Sequence, residues 1–169
     1  TLELIHFPSD KGKAKWQKQT KNLFLGIDHT AIGVSRTRES IDFYKILNVD
    51  SVGQSINFGN EQAHLNNVKN AKLKITGCTG IEGFGIEFLE YLEPKSIQLQ
   101  PLAIQADDII KWETILEVDN LQSVIDSLQS RGTHVLQSNV TEFTWFSNSY
   151  KGVLINDPDG HVLALYQKL

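Results

Sequence analysis

The sequence predicts an α+β protein built from two βαβββ units in tandem. Three observations carry this. The same order of strand-like and helix-like runs occurs twice along the chain. The two copies fall into one register: with Val34 set on Val118, the pair Ile41-Asp42 falls on Ile125-Asp126 and His29 on Glu113. Repetition on this scale marks a duplicated supersecondary unit. Between the copies lies "EPKSIQLQPLAIQADD", a proline-containing stretch of the kind that joins modules. The predicted organisation is an N-terminal arm over 1–24, a first unit over 25–94, a linker over 95–107 and a second unit over 108–169.

The arm is rich in lysine, irregular, and carries Trp16 as an anchor for packing across the domain. In the first unit "LGIDHTAIGV" reads as a strand and "TRESIDFYKIL" as a helix with Ile41, Tyr44 and Leu47 on one stripe. "SVGQSINFG", "AKLKITGC" and "GIEFLEYL" read as strands, the first two separated by the polar connection "NEQAHLNNVKN". In the second unit "IIKWETILEV" is a strand. "NLQSVIDSLQSRG" is a helix with Leu121, Val124, Ile125 and Leu128 at i, i+3, i+4 and i+7. Asp119 is the expected cap and Gly132 the stop. "THVLQSNV", "GVLIND" and "HVLALYQ" follow as strands, the last two joined through the turn sequence "DPDG" at 157–160.

Composition excludes several classes. The chain has 169 residues, 40% hydrophobic and 21% charged, which is ordinary globular material. No apolar run approaches membrane-spanning length, so no membrane partner is expected. A net charge of −4 argues against nucleic acid, which selects basic faces. A single cysteine, Cys78, rules out an intrachain disulfide and a CxxC metal site. A cytoplasmic location is the expectation.

The runs "DHTAIGVSRTRESIDFYKIL", "GIEFLEYL" and "VLINDPDGHVLALY" resemble the vicinal oxygen chelate superfamily, which includes glyoxalase I, extradiol dioxygenases and bleomycin resistance proteins. The resemblance covers roughly residues 25–168. It implies a glyoxalase-like fold in which the two modules form an open, cup-like barrel, often holding a divalent metal through one residue from each of four strands. It also implies a possible homodimer. Carried over position by position, it places His29 on the first strand, Glu87 on the fourth and Glu113 on the fifth as metal ligands. Glu90 competes with Glu87, but residues three apart on a strand point to opposite faces. The last strand departs from the pattern, with Ala164 where the family usually has Glu.

On the first strand Thr30, Ile32 and Val34 lie to one side, and His29, Ala31 and Gly33 to the other. On the fifth, Trp112, Thr114, Leu116 and Val118 are the apolar side, while Lys111, Glu113, Ile115 and Glu117 form the other. One imidazole and two carboxylates would suit a Zn, Ni, Mn or Fe ion with open positions for substrate oxygens. Lys111 can instead neutralise Glu113 without a metal. Glu113, His64 and Glu90 are the candidate acid–base groups. Phe143, Trp145, Phe146 and Tyr150 form an aromatic cluster suited to the wall of a ligand pocket. His161 is expected at the surface, Asp157 and Asp159 are expected as turn-formers, and His6 and His134 show no partner pattern. The reading that follows is a metal-dependent lyase or isomerase acting on a small oxygenated substrate, with dioxygenase chemistry less favoured. Its alternative is a metal-free protein that binds or sequesters a small molecule, as bleomycin resistance proteins do.

Overall fold

The computed structural model describes residues 2–9, 11–95, 112–132, 136 and 139–169. Residues 96–107 of the expected 95–107 linker, together with Lys111 and His134, lie outside the described residues. The first unit comprises β1 (His29–Gly33), α1 (Thr37–Tyr44), β2 (Asp50–Phe58), α2 (Asn60–Asn66), β3 (Lys72–Thr79) and β4 (Gly85–Glu93). The second comprises β5 (Glu113–Glu117), α3 (Leu121–Gln129), β6 (Thr141–Trp145), β7 (Asn148–Asn156) and β8 (Val162–Lys168). Each unit folds into a four-stranded sheet, and the strand orders β1-β4-β3-β2 and β5-β8-β7-β6 are the same path taken twice. In both, the first strand runs parallel to the last and the remaining pairs are antiparallel. His29 opens β1 and Glu113 opens β5, so the sequence register is also the structural one.

Strand alternation decides where the core lies. Ile32 and Val34 from the β1 segment, Ile86 and Phe88 from β4, and Phe43 and Tyr44 from α1 are buried. Thr114, Val118, Leu163 and Leu165 are buried in the second sheet, below Leu121, Ile125 and Leu128 of α3. The apolar members of both sets join one continuous cluster, so the two sheets turn their helix-bearing faces into a shared core. Their other faces stay open: Ala31, Gly33, Glu113, Ile115 and Glu117 are exposed.

Three local readings are corrected. Asn120, not Asp119, caps α3, its side chain accepting from Ser123 N at 3.0 Å. The polar connection contains the short helix α2, closed by left-handed Asn67. The strand before the final hairpin is Thr141–Trp145 rather than 133–140; of the latter, the described Leu136, Asn139 and Val140 lie outside any strand. The sequence signal was masked because the β6–β7 turn is Phe146-Ser147, with both residues at positive φ (45° and 65°), where Asn-Gly is the usual marker.

A buried polar knot fastens the halves. Tyr44 of α1 donates its hydroxyl to Asp157 Oδ2 across the boundary at 3.1 Å. The same carboxylate meets His161 Nδ1 at 2.9 Å and accepts the backbone N–H groups of Asp159 and His161. Ser35 N donates to Asp159 Oδ1 nearby. His161 is therefore buried, contrary to its expected surface position. Burial alone would depress its pKa, but the Asp157 carboxylate outweighs this and raises it. A histidine raised in the folded state contributes fully below the ordinary value near 6.5 and loses that contribution as pH climbs through the raised value. Urea unfolding should thus show stability declining above neutrality, and His161→Gln should flatten that slope. Tyr44→Phe should cost about 1–3 kcal/mol, read from the urea midpoint, because it strips a donor from a buried carboxylate.

Candidate functional site

On the open face of the first sheet, β1 and β4 place His29 and Glu87 side by side. Ala31 is the register partner of Glu87, and Gly85 the partner of His29. A side chain at Gly85 would strike the Cys78 carbonyl at 3.1 Å and His29 Cβ at 3.3 Å. That glycine is the space in which the imidazole sits. His29 Nε2 stands 3.6 Å from Glu87 Oε2, and Nδ1 stands 3.0 Å from Asp28 Oδ2. Trp16 of the arm donates its indole N–H to Asp28 Oδ1 at 2.6 Å, so the expected Trp16 anchor holds to the residue next to the candidate ligand.

Both ring nitrogens of His29 therefore face carboxylates. Glu87 is the main cause of a pKa pushed up to about 9; burial opposes the rise and Asp28 adds to it. Burial also acts against the Asp28 charge, yet the hydrogen bonds from His29 and Trp16 prevail and hold its carboxyl below the usual range. The two shifts together favour a charged imidazole beside the Asp28 carboxylate.

Glu90 lies on the opposite side of the sheet. Its carboxylate accepts from Thr37 N at 3.1 Å and from the Thr37 hydroxyl, with Lys74 Nζ at 3.8 Å. It satisfies an orphan N–H at the start of α1, whose own N-cap residue, Arg36, provides no side-chain cap. Glu90 thus contacts a helix terminus, on the side of the sheet away from His29. His64 sits exposed in the last turn of α2. Glu113 belongs to the other sheet, opposite Val162. Among the described residues no group of three His, Cys, Asp or Glu side chains converges so as to hold a metal ion.

The open face of the second sheet carries a different chemistry. Register places Phe143 opposite Tyr150, and Gly152 opposite Tyr166. Phe143 stacks on Tyr150 at 5.6 Å, Tyr150 meets Tyr166 edge-on at 5.4 Å, and Trp145 reaches Tyr150 at 6.4 Å. Gly152 opens room for this chain: a Cβ there would meet Phe143 Cε1 at 3.2 Å. Tyr166 donates its hydroxyl to Glu117 Oε2 at 3.1 Å. Phe143 and Trp145 remain 40% and 48% exposed, so the rings are displayed rather than packed away. The aromatic cluster read from sequence is thus an open wall, with Tyr166 as the member that reading missed; only strand pairing brings it in. Phe146 projects from the turn with its ring 5.5 Å from that of Trp145, extending the cluster.

No protein-family model matches the sequence, and no curated protein matches it. Solved structures do match in shape. A glyoxalase family protein from Bacillus cereus is 18% identical, with 90% of this chain and 99% of that one covered at a TM-score of 0.74. The fold is glyoxalase-like, with two βαβββ modules. A glyoxalase/bleomycin resistance protein/dioxygenase domain from a Frankia species is 14% identical over 85% of this chain and 92% of that one, at 0.60. An antibiotic-binding protein from a Streptomyces species is 16% identical over 88% and 99%, at 0.55. At these identities the likeness concerns the fold. No helix among the described residues is long and apolar enough to cross a membrane.

The electrostatics of His29 are directly measurable. Its NMR titration midpoint should lie near 9, and Glu87→Gln should lower it toward 6.5. A wild-type midpoint already at 6.5 would show that the two carboxylates do not hold the ring. The sign for stability follows: the contribution is complete below 6.5 and lost as pH rises through about 9.

Proposed function

We propose that this chain binds a small, ring-bearing molecule on the open face of the second sheet, and that binding rather than turnover is its activity. The observation that carries this reading is the connected row of rings, with Phe143 and Trp145 exposed and Tyr150 and Tyr166 half-buried beside them. Aromatic surfaces recognise flat ligands by offset and edge contacts, each worth about 0.5–1.5 kcal/mol beyond area burial. Glu117 and the Tyr166 hydroxyl border the row, so the ligand class is planar with cationic or hydrogen-donating substituents. Among solved neighbours of the same fold, one is an antibiotic-binding protein, which is compatible with this use of the scaffold.

A second reading has one observation in its favour, the facing of His29 Nε2 and Glu87 Oε2. In that reading the chain is a metal-dependent lyase or isomerase. His29, Glu87 and Glu113 are its ligands to Zn, Ni, Mn or Fe, His64 or Glu113 moves the proton, and two copies assemble as a homodimer. The donor types suit such ions, but the fit within one chain is incomplete. Ala164 offers no donor at the fourth position, and both ring nitrogens of His29 already face carboxylates, Nδ1 at 3.0 Å and Nε2 at 3.6 Å.

Two measurements separate the readings. Titration with a planar acridine dye, followed by tryptophan quenching, should give saturable binding. Trp145→Ala combined with Tyr150→Ala should weaken it about tenfold, as expected for two lost ring contacts, with circular dichroism unchanged. Equal affinity in the double variant would remove the aromatic face from the account. After equilibration with Zn, Ni, Mn or Fe and removal of excess ion, metal should remain below one per chain and be insensitive to His29→Ala. A stoichiometric ion lost in that variant would instead establish the second reading.

A further inference from the structure

The arm contributes no side chain to the buried core, yet its described residues are organised around one indole. A 3-10 turn over Ala14–Gln17 presents Trp16. Phe7 lies parallel to it, with ring centres 6.4 Å apart and planes 9° apart, and Lys15 Nζ stands 4.1 Å from its ring centre. Gln17 Nε2 donates to the carbonyls of Pro8 and Lys11, closing the preceding loop at 2.9 and 2.6 Å. The far edge of the indole rests by Gly26, where a Cβ would lie 3.5 Å from the ring and where φ is 142°. What all this delivers is a single N–H, directed at Asp28 Oδ1. The other oxygen of Asp28 faces His29 Nδ1. A carboxylate with both oxygens engaged by donors cannot rotate freely, so the ring beyond it is also restrained.

We propose that Trp16 is a positioning residue: through Asp28 it fixes the imidazole of His29 with Nε2 directed at Glu87 on the open face. The N-terminal arm is then an outer support of that site and not a tail. This holds whatever the aromatic face binds. Coupling between two elements is reciprocal, so loosening the indole must free the ring, and removing the ring must loosen the arm.

The test uses the full chain with 15N-labelled histidine. Solvent exchange of the His29 Nδ1 proton is followed by NMR, and trypsin cleavage at Lys13, Lys15, Lys18 and Lys21 reports arm docking. Trp16→Phe should speed exchange of that proton at least tenfold while core amides such as Leu163 keep their protection. His29→Gln should speed cleavage of the arm severalfold, although it lies outside the arm. Unchanged proton exchange in Trp16→Phe, or unchanged arm cleavage in His29→Gln, would overturn the proposal. If Trp16→Phe does not fold, Asp28→Asn decides. It turns an N–H toward His29 and breaks that link, so the Nδ1 proton signal should disappear and the arm should be cleaved faster, as in His29→Gln. A persisting signal would refute the relay.

Discussion

The alternation of side chains along a strand is the constraint from which the rest of this molecule follows. Register partners share a face, so each four-stranded sheet turns one side to the core with α1 or α3 and keeps the other side out of it. The short α2 covers only the end of the first sheet near Leu73 and Tyr91. Both sheets spend the helix-bearing side on a single core running from Ile32 and Phe88 through Tyr44 to Ile125 and Leu163. Whatever the chain does to a ligand must therefore be done by the remaining sides. The glycines record this division. Gly85 makes room for His29 on one open face, and Gly152 makes room for Phe143 on the other.

The two open faces have diverged in chemistry while their backbones repeat. One holds a charge-compensated imidazole; the other holds a row of rings edged by Glu117. In the repeat register His29 corresponds to Glu113, a cationic group matched with an anionic one. Duplication supplies a scaffold with two equivalent positions, and substitution at those positions sets separate roles without disturbing the core. The Tyr44–Asp157–His161 knot keeps the halves in a fixed relation, because a buried carboxylate with four donors is costly to unmake.

Much of this was legible in the sequence. The repeat register, the helix stripes and the parity of β1 and β5 are local patterns, and the backbone obeys them. Features that depend on distant partners were not legible. Glu90 satisfies Thr37, 53 residues away, so no capping motif announces it. His161 follows a turn glycine, a typical surface setting, and is buried only because Asp157 and the Trp112 ring lie beside it. Tyr166 joins the aromatic row through strand pairing alone. β6 was displaced in the reading because its turn is Phe146-Ser147 and not a glycine turn. His29 and Glu87 share one sheet and Glu113 opens the first strand of the other, as the repeat register dictates.

The division into a shared core face and open faces is tested most directly by thiol labelling. Single cysteines would be placed in turn at positions 31, 32, 113, 114, 115 and 163, with the native Cys78 replaced by serine. Modification should be fast at 31, 113 and 115 and slow, limited by global unfolding, at 32, 114 and 163. Uniform rates, or the opposite alternation on either strand, would contradict the assignment of faces and with it every site described on them.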